Sequence, residues 1–201
     1  VDEAIDHGFV GVCVNPIYVR RAAERLAKAH AATRLVTTAG FPLGATRTDT
    51  KIDEARRALD DGATDIDMVA AIGALVAGDR LAVRRDIEAL ARVVHAGGGG
   101  RVLKVILETT ALTAEQIILG CRCCAEGEAD FVKTSTGFHP SGGATVEHVR
   151  LLHRHASPIP VKASGGIRTA SAAIALLDAG ATRLGTSAGV AILRELASFS
   201  P

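Results

Sequence analysis

Arg101-Val-Leu-Lys-Val-Ile-Leu-Glu108 is a run of β-branched and aliphatic residues broken by a single lysine. A strand with one face in water alternates apolar and polar residues. This one is apolar on both faces, the pattern of a strand in a parallel sheet covered by helices. Before it, the glycine run Gly97 to Gly100 makes a turn, and Arg80 to His95 places Ile87, Leu90, Ala91 and Val94 on one helical face. After it, Thr113 and Gln116 have the spacing of a capping box that opens a helix reaching Glu126.

The alternation continues in both directions. Upstream, Val1 to Gly8 reads as the end of a helix, Gly11 to Asn15 as a strand, Tyr18 to His30 as a helix and Arg34 to Phe41 as a strand. A helix from Thr50 to Asp61 leads to the strand Asp65 to Val69. Downstream come the strand-like DFVKTSTGF (Asp130 to Phe138), a Gly/Pro loop from His139 to Gly143 and a helix from Val146 to His155. Ile159 to Ser164 is a strand, Thr169 to Asp178 a helix, Arg183 to Thr186 a strand and Val190 to Ala197 a closing helix. Strands and helices alternating at roughly 25–30 residue intervals predict parallel pairing through right-handed crossovers.

That pattern fits either a doubly wound open sheet or a barrel. No GxGxxG or GxxxxGK[ST] follows the first strand, which weakens the nucleotide-binding open sheet. The expected fold is an α/β TIM (β/α)8 barrel that lacks its first strand, with about seven β/α units visible, in one domain spanning residues 1–201.

Composition narrows the function. The 201 residues are 48% hydrophobic and 22% charged, enough apolar material for a globular core. Lys and Arg number 23 against 22 acids, and aromatics are 3%, so neither a basic stripe nor a base-stacking platform for nucleic acid is present. No apolar run reaches the ~20 residues that span a bilayer, and the N-terminus has no signal-like core, so a cytoplasmic protein without membrane partners is expected. Cys121, Cys123 and Cys124 lie within one helical stretch and Cys13 stands apart. Neither a metal cluster nor a disulfide framework has this spacing, and small thiols in a reducing compartment are expected.

In a barrel the chemistry gathers at the C-terminal ends of strands. Polar residues interrupt four consecutive strands here: Asp65 and Asp67, Lys104 and Glu108, Lys133, and Lys162. A single strand lysine is explained by snorkelling at a strand end. Several on adjacent strands, ~4.8 Å apart, would share one interior. Two ammonium groups in a desolvated pocket repel, so one gives up its proton more readily and becomes a nucleophile able to form a Schiff base with an aldehyde. Asp67 would offset the charge and, with Lys162 and water, move protons. Asp65, at its strand start, is expected to be structural, and Lys104 is explained by pairing with Asp67 or Glu108. A second constellation, Ser164-Gly-Gly-Ile-Arg168 leading into a helix and Gly185-Thr-Ser187 after the last strand, suits a phosphate.

With KTSTGF around Lys133, VKASGGIRT around Lys162, DIDMV around Asp67, LKVILET around Lys104, CVNP at Cys13 and a terminal RLGTSAG, the chain resembles the deoxyribose-phosphate aldolases over essentially its whole length. The resemblance implies a barrel-shaped class I aldolase that needs no metal or cofactor and reversibly joins acetaldehyde and glyceraldehyde 3-phosphate into 2-deoxyribose 5-phosphate. It makes Lys133 the Schiff-base lysine, Lys162 the lysine that tunes it and Asp67 the proton-relay acid. Gly137, Gly165, Gly166, Arg168, Gly185 and Ser187 fall in the phosphate-holding segments, and Lys104 and Cys13 would support the site from behind.

Three departures stand out. Family members begin with a strand carrying a motif like DHTLLK, and nothing here corresponds to it. The expectations are a fragment or different start, exposed sheet edges, or a homo-oligomer that covers the gap. Ala188 stands where many members have a second serine. Some members carry a tail tyrosine as proton carrier, whereas the one tyrosine here is Tyr18 and the tail ends Phe199-Ser200-Pro201. The competing expectation is therefore a phosphosugar-binding barrel protein with impaired catalysis.

Overall fold

The computed structural model describes residues 1–199, so the tail residues Ser200 and Pro201 lie outside the described residues. Among the described residues, seven strands form one sheet: β1 (Gly11–Cys13), β2 (Arg34–Ala39), β3 (Asp65–Val69), β4 (Val102–Ile106), β5 (Phe131–Lys133), β6 (Val161–Ser164) and β7 (Ala181–Gly185). All neighbours are parallel and follow chain order. A doubly wound sheet reverses its order at a switch point; this one does not.

The sheet curls. Arg34 of β2 and Arg183 of β7 both reach Asp65 of β3, at 2.6 and 3.5 Å, which strands so far apart in the order achieve only around a shared interior. Within the described residues, β1 and β7 do not pair with each other, so the barrel is open on one side. A cleft of about 310 Å³ lies between them, lined by Gly11, Val12, Arg34, Arg183, Leu184 and Gly185.

Helices cover the outer face: α1 (Asp2–Asp6), α2 (Val19–Lys28), α3 (Thr48–Asp60), α4 (Ile72–Val76), α5 (Arg80–Ala96), α6 (Ala114–Glu126), α7 (Val146–Ala156), α8 (Ala170–Asp178) and α9 (Gly189–Phe199). The pleat sorts each strand's residues between two layers. In β3 and β4, Ile66, Met68, Leu103 and Val105 join the core cluster with Ile87, Leu90 and Val94 of α5, while Asp65, Asp67 and Lys104 meet one another by ion pairs. This explains why RVLKVILE reads as apolar on both faces yet contains a lysine.

The element boundaries expected from sequence hold to within about two residues at most ends. The Thr113–Gln116 capping box forms in both directions. Unforeseen is α4, whose IGALV is too short and too apolar to show helical periodicity. No described helix is long and apolar enough to cross a membrane.

Candidate active site

Parallel register brings three strand lysines to one carboxylate. Lys104 pairs with Asp67 across β3–β4, and Lys133 with Lys162 across β5–β6. Asp67 Oδ1 accepts from Lys104 Nζ at 2.9 Å, and Oδ2 accepts from Lys133 Nζ at 2.8 Å and Lys162 Nζ at 2.7 Å. Lys104 also donates to Asp65 Oδ2 at 2.6 Å. Both aspartates and Lys104 are fully buried, and Lys133 and Lys162 are each 6% exposed, just open to the mouth of the barrel.

Charge balance sets the protonation states. Burial alone would push the Asp67 carboxyl up, but Lys133, Lys162 and Lys104 outweigh it and hold the group well below the usual carboxylate range. Asp67 is thus a fixed anion whose oxygens already accept from three lysine amines. Lys162 is lowered from the ordinary lysine value, first by desolvation, with the Lys133 and Lys104 charges adding and Asp67 opposing. Its neutral amine is therefore more accessible than that of a surface lysine. Cys13, on the open edge strand, has its thiol raised by desolvation and then by the Asp67 charge, which disfavours the thiolate nucleophile.

A second cleft of about 420 Å³ opens over Lys133, walled by Asn15, Tyr18, Thr38, Phe41, Thr136 and Phe138. Phe41 and Phe138 meet edge to face with centroids 5.3 Å apart. The exit of β5 is fixed on both sides. Thr134 Oγ1 donates to Ser164 O at 3.1 Å and accepts from Ser164 N at 3.0 Å, while Ser164 Oγ donates to Ser135 O at 2.6 Å. Ser135 Oγ is buried and has no partner among the described residues.

The glycine constellation assembles beside this exit. Gly137, Gly165 and Gly166 have φ of +86°, +91° and +76°, backbone that side-chain-bearing residues rarely adopt. A Cβ on Gly165 would lie 2.9 Å from Gly143 Cα and 3.1 Å from Gly137 Cα, so three glycine backbones pack directly on one another. Gly143, which the sequence showed as part of a loop, is thereby required by contact. Gly185 packs against Ser164 and Lys162, and Thr186 donates to Ile167 O at 2.6 Å and accepts from Ala188 N at 2.8 Å, tying the β7 exit to the β6 exit. Arg168 and Ser187 are exposed. Side chains already occupy the N-terminus of α8: Thr169 accepts from Ala172 N, and Glu195 of α9 accepts from Ala170 N at 2.7 Å.

Two expected pairings resolve differently from one another. Lys104 takes Asp67, as expected, and Asp65 with it; Glu108 instead accepts from Thr136. Asp65 is structural in the sense expected, but its burial and its Arg34, Lys104 and Arg183 partners make it the lower half of the same charge network. Among the described residues no group of His, Cys, Asp and Glu is arranged to hold a metal ion. Cys121 and Cys124 are buried in α6, where desolvation pushes the first up to about 12 and the second well above the ordinary thiol value.

The DeoC/LacD family aldolase model matches residues 1–198. The deoxyribose-phosphate aldolase of Thermococcus gammatolerans is 52% identical over 193 residues, covering 96% of this chain and 84% of that protein. The Brevibacillus brevis deoxyribose-phosphate aldolase is 47% identical, over 95% of this chain and 84% of its own. The tetrameric deoxyribose phosphate aldolase structure from Aeropyrum pernix superposes with a TM-score of 0.88 at 33% identity, covering 98% of this chain and 81% of that one. With a family model matched almost end to end and a buried lysine–aspartate cluster at the barrel mouth, the chain belongs to the DeoC/LacD family of aldolases.

Proposed function

We propose that this protein is a deoxyribose-phosphate aldolase that reversibly cleaves 2-deoxy-D-ribose 5-phosphate into acetaldehyde and D-glyceraldehyde 3-phosphate. The observation that carries the reading is the convergence of Lys133 and Lys162 on one oxygen of Asp67 beneath an open cleft. The names of the relatives supply the substrate.

In this reading the Lys133 amine attacks the C1 aldehyde of the open-chain sugar, and loss of water gives the iminium. A base removes the proton of the C3 hydroxyl, the C2–C3 bond breaks, and its electrons enter the iminium to form an enamine. Glyceraldehyde 3-phosphate leaves; protonation at C2 and hydrolysis release acetaldehyde and restore the amine. Asp67, held as an anion, stabilises the cationic nitrogen, and Lys162, with its lowered pKa, is the better proton carrier, working with water. Lys104 braces Asp67 from below. Gly137, Gly165, Gly166 and Gly185 offer backbone at the mouth, with Arg168 and Ser187 adding charge and a hydroxyl for the phosphate. No step in this sequence calls for a metal or cofactor. Four cysteines without a disulfide fit a cytoplasmic enzyme of deoxyribonucleotide breakdown, and the tetrameric A. pernix relative supports a homo-oligomer.

Lys133→Ala tests the reading directly. Retro-aldol turnover should vanish while circular dichroism keeps the wild-type fold. Turnover in that variant removes the mechanism, and a folded wild type that binds deoxyribose 5-phosphate calorimetrically without turning it over replaces the enzyme with a binding protein.

A further inference from the structure

Glu108 is buried, 2% exposed, and among the described residues no lysine, arginine or histidine lies within ion-pair distance of it. Its backbone is left-handed, with φ +58° and ψ +61°, a conformation that a residue with a side chain adopts only when its surroundings hold it there. Those surroundings are the exit of β5. Thr136 N donates to the Glu108 carboxyl at 3.2 Å, the Thr136 hydroxyl donates to the same oxygen, and Thr109 N donates to Thr134 O at 3.0 Å. Thr136 in turn accepts from Phe138 N at 3.1 Å. The segment fixed in this way has Lys133 at one end and Gly137, packed on Gly165, at the other.

We propose that Glu108 is a positioning residue that acts through Thr136. It fixes the spacing between the Lys133 amine and the glycine loops, and so sets the preference for a phosphorylated over an unphosphorylated sugar. The inference rests on the aldolase reading above. A substrate tied covalently at C1 and by its phosphate at C5 is sensitive to the distance between the two anchors; one held only at C1 is not. An amide at position 108 offers the two Thr136 donors an uncharged and therefore weaker acceptor, and turns its N–H groups toward Thr136 N on the side where the second carboxyl oxygen now stands 3.4 Å away.

The test compares kcat/KM for deoxyribose 5-phosphate and for 2-deoxyribose in wild type, Glu108→Gln, Thr136→Val, the double variant and Thr136→Ser. The phosphorylated-to-unphosphorylated ratio should fall about tenfold or more in Glu108→Gln and in Thr136→Val, within the range that small misplacements of a reacting group produce. The double variant should be no worse than the more damaged single one, because both remove the same contact. Thr136→Ser, which keeps the hydroxyl, should restore most of the ratio. Borohydride trapping of acetaldehyde on Lys133 should fall less in each variant than turnover of deoxyribose 5-phosphate does, since acetaldehyde carries no phosphate. An unchanged ratio, or trapping that falls in step with both substrates, overturns the proposal. If Glu108→Gln does not fold, the contrast between Thr136→Val and Thr136→Ser decides alone. A wild type inactive on both sugars overturns the aldolase reading and this inference together; an active one with an unmoved ratio overturns only the inference.

Discussion

Without Lys162, Oδ2 of Asp67 would serve Lys133 alone. In the structure that oxygen is shared by two lysine amines at 2.8 and 2.7 Å, and burial together with the neighbouring lysine charges lowers Lys162 from the ordinary lysine value. Replacing Lys162 by leucine removes that titrating group, which is the one placed to carry the proton. The kcat/KM of Lys162→Leu should fall by about 100-fold or more, the range in which a positioned acid–base group contributes, and its pH profile should lose the ionisation that wild type shows below the ordinary lysine range. A profile that keeps both the wild-type rate and that ionisation would show that Lys162 does not carry the proton. The lysines were legible in the sequence because period-2 parity and the order of the strands suffice to place them in one interior. Glu108 was not. Its partner Thr136 is 28 residues away, and its left-handed backbone leaves no mark in the local pattern.

The elements that carry these residues are held by contacts of the same hidden kind. Lys51 of α3 is fully buried and donates to Val69 O at the end of β3 at 2.9 Å and to Asp86 of α5 at 2.6 Å. Its stem also fills the space beside Gly40, where a Cβ would approach Lys51 Cε to 2.8 Å. In sequence it is one more polar residue of an amphipathic helix, since nothing local distinguishes a buried lysine from a solvated one. Lys51→Met leaves Asp86 buried without its cation and should destabilise the protein by about 3–5 kcal/mol. Lys51→Met combined with Asp86→Leu should recover a large part of that loss. Urea unfolding of wild type and the two variants checks it; a Lys51→Met protein as stable as wild type would show that the pair does not secure β3 to its helices. By contrast, the capping box of α6 was legible because Thr113 and Gln116 satisfy each other within four residues.

For the molecule as a whole, sequence order and apolar patterning were enough to give a parallel, sequentially ordered sheet. A seven-stranded sheet left open on one side was expected as well, but the contacts that curl it were not legible, because they join strands far apart in the chain, such as Asp65 with Arg183. The structure is an open barrel whose amine cluster is nevertheless fully assembled. If the glycine loops are assembled as well, the substrate should bind even where it cannot react. Deoxyribose 5-phosphate at about one hundred times its Kd should stabilise Lys133→Ala by about 2.7 kcal/mol. For a chain of this size that raises the unfolding midpoint by about 5–10 °C. A midpoint that does not move would mean that the phosphate subsite is not formed in this chain. Reduction with borohydride in the presence of acetaldehyde, followed by mass-spectrometric mapping of the modified peptide, identifies the nucleophile. A reduced two-carbon adduct on Lys133, absent when aldehyde is omitted, is the expected result; an adduct on Lys162 or Lys104 instead, or none on folded protein, would show that Lys133 is not the nucleophile.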